Sequence, residues 1–329
     1  MAEIDYRTLG ASGLVVSTVG LGCNNFGREG TRTESQEGTS AVIDAAIDAG
    51  ITFFDTADIY GKQRGLSETL MGVALSGAAP GGGAKRDRIV LATKFGMDMQ
   101  GANGPDWGAR ASRRYVRLAV EASLRRLRTD WIDLYQLHHP DPLTPIEETL
   151  DVLDDLISEG KVRYIGHSNL KGWQVADAEL QATVHGHPRF VSAQNEYNLV
   201  RRGAEHEVLP AVNRYGLGFL PFFPLHNGLF TGKFSREGGP ADSRIVRQRP
   251  QILADAPWDA LDAYQRFCDD RGITMLQATF GWLLAQPGLT SVIAGATSAE
   301  QVVANAAAGS AWHPTSDDLA AISDLFPRA

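Results

Sequence analysis

The sequence is poor in cysteine, in basic charge and in long apolar runs, and each shortage removes a class of protein. Of 329 residues only two are cysteines, Cys23 and Cys268, too few for a disulfide framework and suited to a reducing compartment. Lys and Arg number 31 against 39 Asp and Glu, a formal charge of −8. A protein that grips a phosphate backbone needs a basic face, so no nucleic-acid partner is expected. No stretch approaches the roughly 18 consecutive apolar residues of a membrane helix. The most apolar segment, Phe219 to Leu225, is interrupted by Pro221 and Pro224. Met1 to Thr8 is charged and has no apolar core of signal-peptide length. A cytoplasmic location away from membranes is the expectation. What is present is ordinary globular material, 43% hydrophobic and 21% charged, long enough for one large barrel or two ordinary domains.

Short apolar runs rich in strand-forming residues alternate with helical patterns along the whole chain. The runs are Val15–Leu21, Thr52–Asp55, Ile89–Thr93, Ile132–Leu137, Val162–Gly166, Val191–Gln194, Gly218–Phe222 and Ser291–Ile293. Between them, Ser112–Leu127 places Val116, Ala119, Val120, Leu124 and Leu127 on one helical face. Ile146–Ile157 does so with Leu150, Leu153 and Leu156, opening at Thr144-Pro145 as an N-cap with proline at the first helical position. Eight strands alternating with helices predict a parallel sheet covered by helices. With short connections and no break in composition, a closed (β/α)8 barrel in a single domain, residues 1–329, is the economical topology, and an open doubly wound sheet is its competitor. Tyr6–Val15, with Gly10, Ser12 and Gly13, predicts an N-terminal β-hairpin. The Ala-rich Val302–Ala308 predicts an extra C-terminal helix. Three stretches read as irregular: Ala78–Arg88 with Pro80-Gly81-Gly82-Gly83, Gly96–Ala111, and Ser235–Pro257. The last two follow strands and are candidate covers of a functional face.

In a barrel the polar residues just past the C-terminal ends of the strands are the ones to inspect. They are Asp55, Lys94, His138, Ser168-Asn169 and Gln194, with Tyr60 in the loop after Asp55. A lysine held by a carboxylate beside a phenol lowers the phenol's pKa and lets it give up a proton near neutral pH, while a histidine orients the group being protonated.

These residues sit in motifs that resemble one family closely. Phe54-Asp55-Thr56-Ala57-Asp58-Ile59-Tyr60-Gly61, Ala92-Thr93-Lys94-Phe95-Gly96 and Asp133-Leu134-Tyr135-Gln136-Leu137-His138-His139-Pro140-Asp141 are similar to the signatures of the aldo-keto reductases. So are Gly160–Gly166 with Ser168-Asn169, and Gln194-Asn195-Glu196-Tyr197-Asn198. Pro224-Leu225, Gly228–Lys233 and Gly295-Ala296-Thr297-Ser298 resemble the bacterial branch related to potassium-channel β subunits.

The resemblance implies a barrel that binds NADP(H), with NAD(H) not excluded, and reduces aldehydes and ketones to alcohols reversibly. Tyr60 would be the general acid, Lys94 its modulator, Asp55 the lysine's partner and His138 the carbonyl orienter. Ser168, Asn169 and Gln194 would hold the nicotinamide carboxamide, and Gly22 and Cys23 would lie on the nicotinamide side. Phe222 would face the ring, with Phe223, Pro224, Leu225 and Asn227 beside it. Gly228, Thr231 and Lys233 would approach the pyrophosphate, and Gly295, Thr297, Gln301 and Asn305 the adenosine. Phe223 stands where the family usually has Ser, Ala304 where it commonly has Glu, and Thr297 where some relatives carry Arg. Arg244, in Asp242-Ser243-Arg244, resembles an arginine that relatives bring to the adenosine side, and it would meet the 2′-phosphate of NADPH. Phe26, Ile59 and Trp107, with Tyr60 and His138, are the candidate substrate walls. The substrate would be a small carbonyl compound, and homo-oligomer formation is left open.

Blander and rival readings exist for the same residues. Asp55 and Lys94 alone could be a structural ion pair. Lys94 could be a Schiff-base lysine, but Asp55 would hold it charged. Cys23 could be redox-sensitive or, more simply, a space-filler. Cys268 reads as core, His139 as a pocket-rim residue and His167 as packing. His185-Gly186-His187 sits in a turn with no further ligands, and no metal is expected. Gly166–Leu170 lacks the last glycine of a nucleophile elbow, and Gly228–Lys233 is too short for a phosphate loop. A different class of function, a cofactor-occupied binding or redox-sensor module with little turnover, would keep the dinucleotide residues and need a partner surface. The sequence shows no extended arm before Tyr6 to provide one.

Overall fold

The computed structural model describes residues 4–77, 84–241 and 243–328. The glycine-rich stretch around Pro80, expected to be a flexible linker, lies outside them. The chain opens with a hairpin in which β1 (Tyr6–Thr8) pairs antiparallel with β2 (Val15–Ser17). Its turn needs glycine at Gly10: φ there is +60°, and a Cβ would fall 2.4 Å from the Gly216 carbonyl oxygen. Then come β3 (Val19–Gly22), β4 (Phe53–Asp55), β5 (Val90–Phe95), β6 (Ile132–Leu137), β7 (Val162–Ser168), β8 (Ser192–Gln194), β9 (Gly218–Phe219) and β10 (Val292–Gly295). Each is parallel to its neighbours in the order β10-β3-β4-β5-β6-β7-β8-β9. The ring closes where the Phe219 amide donates to Gly288 O at 2.8 Å and the Thr290 amide to Phe219 O at 2.9 Å. That closure, with β10 against β3, excludes the open sheet and gives the (β/α)8 barrel.

Between successive strands lie α1 (Gln36–Asp48), α2 (Leu66–Leu75), α3 (Arg113–Leu127), α4 (Ile146–Ser158), α5 (Gly172–His185) and α6 (Val208–Tyr215). After β9 come α7 (Arg244–Gln248), α8 (Gln251–Ala254), α9 (Trp258–Asp270) and α10 (Met275–Leu284), and after β10 come α11 (Ala299–Ala308) and α12 (Ser316–Leu325). Ser112 caps α3 by accepting from the Tyr115 amide.

Several sequence expectations need correction. The run Val15–Leu21 is two strands, because Thr18 separates the hairpin strand from the barrel strand and its amide turns back to Asp5 O. Proline 145 is itself the N-cap of α4 and no side chain caps it; the Thr144 hydroxyl donates to Asp141 Oδ2 instead. The stretch Ser235–Pro257 is not wholly irregular, since it carries α7 and α8. Gly218–Phe222 is regular only to Phe219, and Phe222 makes a single bridge to Glu196.

Two cores result from strand alternation. Phe53, Ala92, Leu134, Leu220 and Ile293 fill the barrel interior, with Leu9 and Val16 of the hairpin stopping its N-terminal end. Phe54, Leu91, Tyr135 and Ile165 point outward into the helix layer. Burying each such side chain contributes about 1.5–3 kcal/mol. The same period of two places the site: Asp55, Lys94 and Gln136 stand two residues beyond Phe53, Ala92 and Leu134, on the inward face at the C-terminal mouth.

Candidate functional site

At that mouth Lys94, with no exposed surface, extends its Nζ to Asp55 Oδ2 at 2.6 Å and to the Thr56 carbonyl oxygen at 2.8 Å. The other carboxylate oxygen accepts from Gln136 Nε2 at 3.1 Å and from Gln194 Nε2 at 3.0 Å. Lys94 and Gln136 are register partners on neighbouring strands. Burial alone would depress the Lys94 ammonium, but Asp55 and Tyr60, through charge and hydrogen bonding, more than offset it and hold its pKa above the ordinary value. The lysine is therefore charged, which disfavours a Schiff-base role.

The ammonium lies 5.2 Å from the centre of the Tyr60 ring, and it and the Asn24 side chain both act to lower the phenol's pKa. Burial is nonetheless the largest influence on Tyr60 and raises its pKa; Lys94 pulls the other way without reversing it. The expected net lowering of the phenol's pKa is thus corrected, and at neutral pH the phenol keeps its proton. His138 meets the Tyr60 ring edge-on, with centroids 5.9 Å apart at 83°. Its pKa is pushed well below the usual value, first by burial and then by the charges of Lys94 and His139, so the imidazole is neutral. Its Nδ1 is buried with no hydrogen-bond partner.

From this floor a cleft of about 1130 Å³ runs across the barrel end. Every residue expected to touch a dinucleotide lines it, from Gly22 and Cys23 through Phe222, Phe223, Pro224, Leu225, Asn227, Gly228, Thr231, Lys233 and Arg244 to Gly295, Thr297, Gln301 and Asn305. Ser168, Asn169 and Gln194 lie beside Asp55, Tyr60 and His138. The Ser168 hydroxyl donates to Gln194 O at 2.8 Å and Asn169 Nδ2 to His138 O at 2.9 Å. This leaves the amide oxygens of Asn169 and Gln194 as the acceptors available to a ligand. Phe223, His226 and Asn227 have φ of 52°, 46° and 61°, an unusual run of left-handed non-glycine residues that bends the chain around the cleft. The cleft's cations lack carboxylate partners: Arg28, Lys233 and Arg244 make no ion pair among the described residues. Arg244 stacks over Phe223 at 5.6 Å, its Nε is buried without a partner, and burial followed by Arg28 and Arg249 pushes its pKa down to about 10. Such a cleft, apolar-walled and cationic with orphaned donors, fits a phosphate-bearing dinucleotide.

Some candidates fall elsewhere. Trp107 is 76% exposed and stacked under Arg114 at 4.3 Å, outside the cleft, because its loop folds away over the surface. Phe26 is wholly buried in the helix-layer core, and Ile59 does not line the cleft. Cys23 is buried, with burial pushing its thiol well up, as suits a space-filler. His139 stacks on His138 at the rim, and Cys268 is core. His185 is exposed, and His187 faces Asp154 at 3.4 Å. A smaller cavity of about 510 Å³ lies at the hairpin end, around Arg7 and Gly288, away from this chemistry.

Residues that the sequence did not single out also matter. Gln136 steadies Asp55. Asn24 reaches Tyr60, and Arg28 Nη2 donates to both the carbonyl and the side-chain oxygen of Asn24. Asn103, in the Gly96–Ala111 loop, donates to Asp58 Oδ2 at 2.9 Å and accepts from Arg126, which also binds Glu68. That network ties the loop to the Tyr60 segment.

The comparisons with known proteins point to an oxidoreductase of a carbonyl-reducing family. The chain belongs to the aldo/keto reductase family, whose profile matches residues 18–326. It is 37% identical over 303 residues to an uncharacterized oxidoreductase of Bacillus subtilis, covering 91% of this chain and 89% of that one. It is 33% identical over 309 residues to a probable voltage-gated potassium channel subunit beta of Oryza sativa, covering 92% and 90%. It is 32% identical over 312 residues to the L-glyceraldehyde 3-phosphate reductase of Escherichia coli, covering 92% and 87%.

Proposed function

We propose that the protein reduces aldehydes and ketones to alcohols with NADPH, reversibly, and that Tyr60 supplies the proton. The observation that carries this reading is the packing of the Tyr60 phenol against a charged Lys94 anchored on Asp55, with a neutral His138 edge-on to its ring. Ser168, Asn169 and Gln194 would hold the carboxamide, Phe222 would face the ring, and Gly228, Thr231 and Lys233 would take the pyrophosphate. Gly295, Thr297, Gln301 and Asn305 would line the adenosine, and Arg244 would meet the 2′-phosphate. When bound, the reduced nicotinamide supplies the hydride to the carbonyl carbon.

The chain's own groups manage the proton. The neutral His138 imidazole carries one N–H, which can donate to the carbonyl oxygen and hold it beside the phenol. As negative charge gathers on that oxygen, the Tyr60 O–H bond breaks toward it, and the phenolate left behind is stabilised by the Lys94 ammonium. Asp55, fixed by Gln136 and Gln194, keeps that ammonium in place. In the oxidation direction the phenolate takes the alcohol proton. Because burial raises the Tyr60 pKa, oxidation should gain with rising pH while reduction already has its acid at neutrality.

The test is loss of NADPH absorbance with nitrobenzaldehyde, with NADH in parallel and Tyr60→Phe as control. Turnover abolished in Tyr60→Phe supports the reading. Cofactor binding without turnover across several aldehydes and ketones would instead support the sensor reading. An exposed apolar stripe on α5, formed by Trp173, Leu180 and Val184, is the observation in that reading's favour.

A further inference from the structure

Arg28, Arg244 and Arg249 form a cluster whose charges act on one another, and the first two also interact with Tyr60. Arg28 follows the turn after β3, and its guanidinium lines the cleft. It binds Asn24 through Nη2, on both the main-chain and side-chain oxygens, while its Nε is buried with no partner. Asn24 in turn lies close enough to the Tyr60 phenol to act on its pKa. One side chain thus separates a guanidinium from the proposed proton donor. No carboxylate lies within ion-pair distance of Arg28, Arg244 or Arg249 among the described residues. The latter two guanidiniums stand over the Phe223 ring at 5.6 and 5.9 Å. The nearby carboxylate of Glu196 interacts electrostatically with Arg201 and Arg249 rather than with Arg28. Asp55 is fully engaged by Lys94 and two amides. Clustered cations raise one another's energy, and burial without counter-charge is costly unless an anion completes the site.

We infer that Arg28, backed by Arg249, is the anchor for an anionic group on the substrate, so that the enzyme prefers aldehydes or ketones carrying a carboxylate or phosphate a few bonds from the carbonyl. The inference rests on the reductase reading, with Tyr60 as acid. Arg244 is left to the cofactor, and Lys233 sits farther along with the Gly228 turn. A planar guanidinium tethered by Asn24 presents its remaining N–H groups as a fork, which matches either anion bidentately. Fixing the anion there would orient the carbonyl toward Tyr60 and His138, so the gain should appear in kcat/KM.

The experiment compares matched pairs: carboxybenzaldehyde against nitrobenzaldehyde, and a phosphorylated aldehyde against the same aldehyde without its phosphate. Wild type should favour the anion-bearing member of at least one pair by about tenfold or more, the fold-change expected when a charge-assisted contact is gained. The pair that shows the effect identifies carboxylate or phosphate. Arg28→Gln should erase the preference and Arg28→Lys should restore part of it, with thermal melts confirming that both fold. Equal kcat/KM within each pair for wild type overturns the inference. So does an Arg28→Gln variant that loses both members alike together with a matching rise in the NADPH Kd, because the arginine would then serve the cofactor. If no aldehyde is reduced, the reductase reading fails, and calorimetry of benzoate against benzamide on the cofactor-loaded protein decides the anion site separately. Arg28-dependent benzoate binding keeps the site, and equal binding removes it.

Discussion

Replacing Lys94 with Met keeps a long apolar stem and deletes one charge at the most buried point of the mouth. Asp55, only 3% exposed, would keep the amides of Gln136 and Gln194 on Oδ1 and lose the ammonium on Oδ2. Removing one partner of a buried pair costs about 3–5 kcal/mol, because it leaves an uncompensated charge. The reverse single change, Asp55→Leu, strands the ammonium on the Thr56 carbonyl alone and should cost a similar amount. It also orphans two amides, at about 1–3 kcal/mol each. The double variant Lys94→Met with Asp55→Leu removes both charges and retains only the amide penalty. It should therefore be no less stable than Asp55→Leu alone, giving a coupling of about 3 kcal/mol or more, well above the disagreement of about 0.3–0.5 kcal/mol seen for independent sites. Urea unfolding of the four proteins at pH 7 without cofactor measures this cycle. A double variant destabilised by the sum of the singles would refute the claim that the two charges stabilise one another.

Three further outcomes follow from the same chemistry. His167, on β7, is wholly buried against Phe190 with both ring nitrogens unpartnered, and burial pushes its pKa down to about 3. The unfolded chain takes up a proton near the ordinary value of about 6.5 while the folded chain refuses it, so stability is full above that pH and falls by about 1.4 kcal/mol per unit toward pH 3. The variant His167→Leu should flatten that acid limb between pH 6 and 4, and an unchanged slope in pH-dependent urea unfolding would count against it. Both thiols are buried and pushed upward in pKa, Cys268 to about 12. A thiol reagent at pH 7 should label neither until denaturant is added, and rapid native labelling of Cys23 would revive the redox-sensor reading. Finally, Arg244→Ala should reduce the ratio of NADPH to NADH kcat/KM by about tenfold, the loss of a charge-assisted contact; an unchanged ratio would remove Arg244 from the 2′-phosphate.

Legibility in the sequence followed periodicity. Barrel strands declared themselves as apolar runs, and of the polar residues at their C-terminal ends Asp55, His138, Ser168 and Gln194 line one cleft, with Lys94 buried beneath it on Asp55. Gln136 escaped notice because it stands inside the run Ile132–Leu137, where it reads as part of the strand. Asn24 and Arg28 escaped because a loop's path carries no period: only the fold of Cys23–Asn25 into a short helical turn turns Arg28 back onto Asn24. The same gap in information misplaced Trp107, since an aromatic in a glycine-rich loop can face either way. Helices α7 and α8, five and four residues long, are too short to show a 3.6-residue repeat. The Tyr60 phenol was misjudged for another reason. A sequence shows which charge stands nearby, but not how much water is excluded, and here exclusion outweighs the lysine.

Buried unmet polar groups occur in several places, Thr18, His167, Trp282 and Ser291 among them, but among the described residues the unmet arginine nitrogens are both at the mouth. At the hairpin end Leu9, Val16 and Phe53 close the interior with apolar contacts, and the Arg7 guanidinium is satisfied by the carbonyls of Leu284 and Leu289. At the mouth His138 Nδ1, Asn227 Oδ1, Arg28 Nε and Arg244 Nε are buried without partners, and three non-glycine residues, Phe223, His226 and Asn227, hold left-handed backbone. Each unmet group costs about 1–3 kcal/mol, and each strained residue a similar amount. A fold selected only for stability would relax such costs first, since they sit on loops that tolerate change. Set around a lysine–carboxylate pair that is itself fully satisfied, these unmet groups make the rigid part of the mouth the proton machinery and the unsatisfied part a surface able to receive a ligand. The anion-seeking character of that surface then follows from its chemistry: the unmet groups include two guanidiniums, Arg28 and Arg244, that make no ion pair among the described residues.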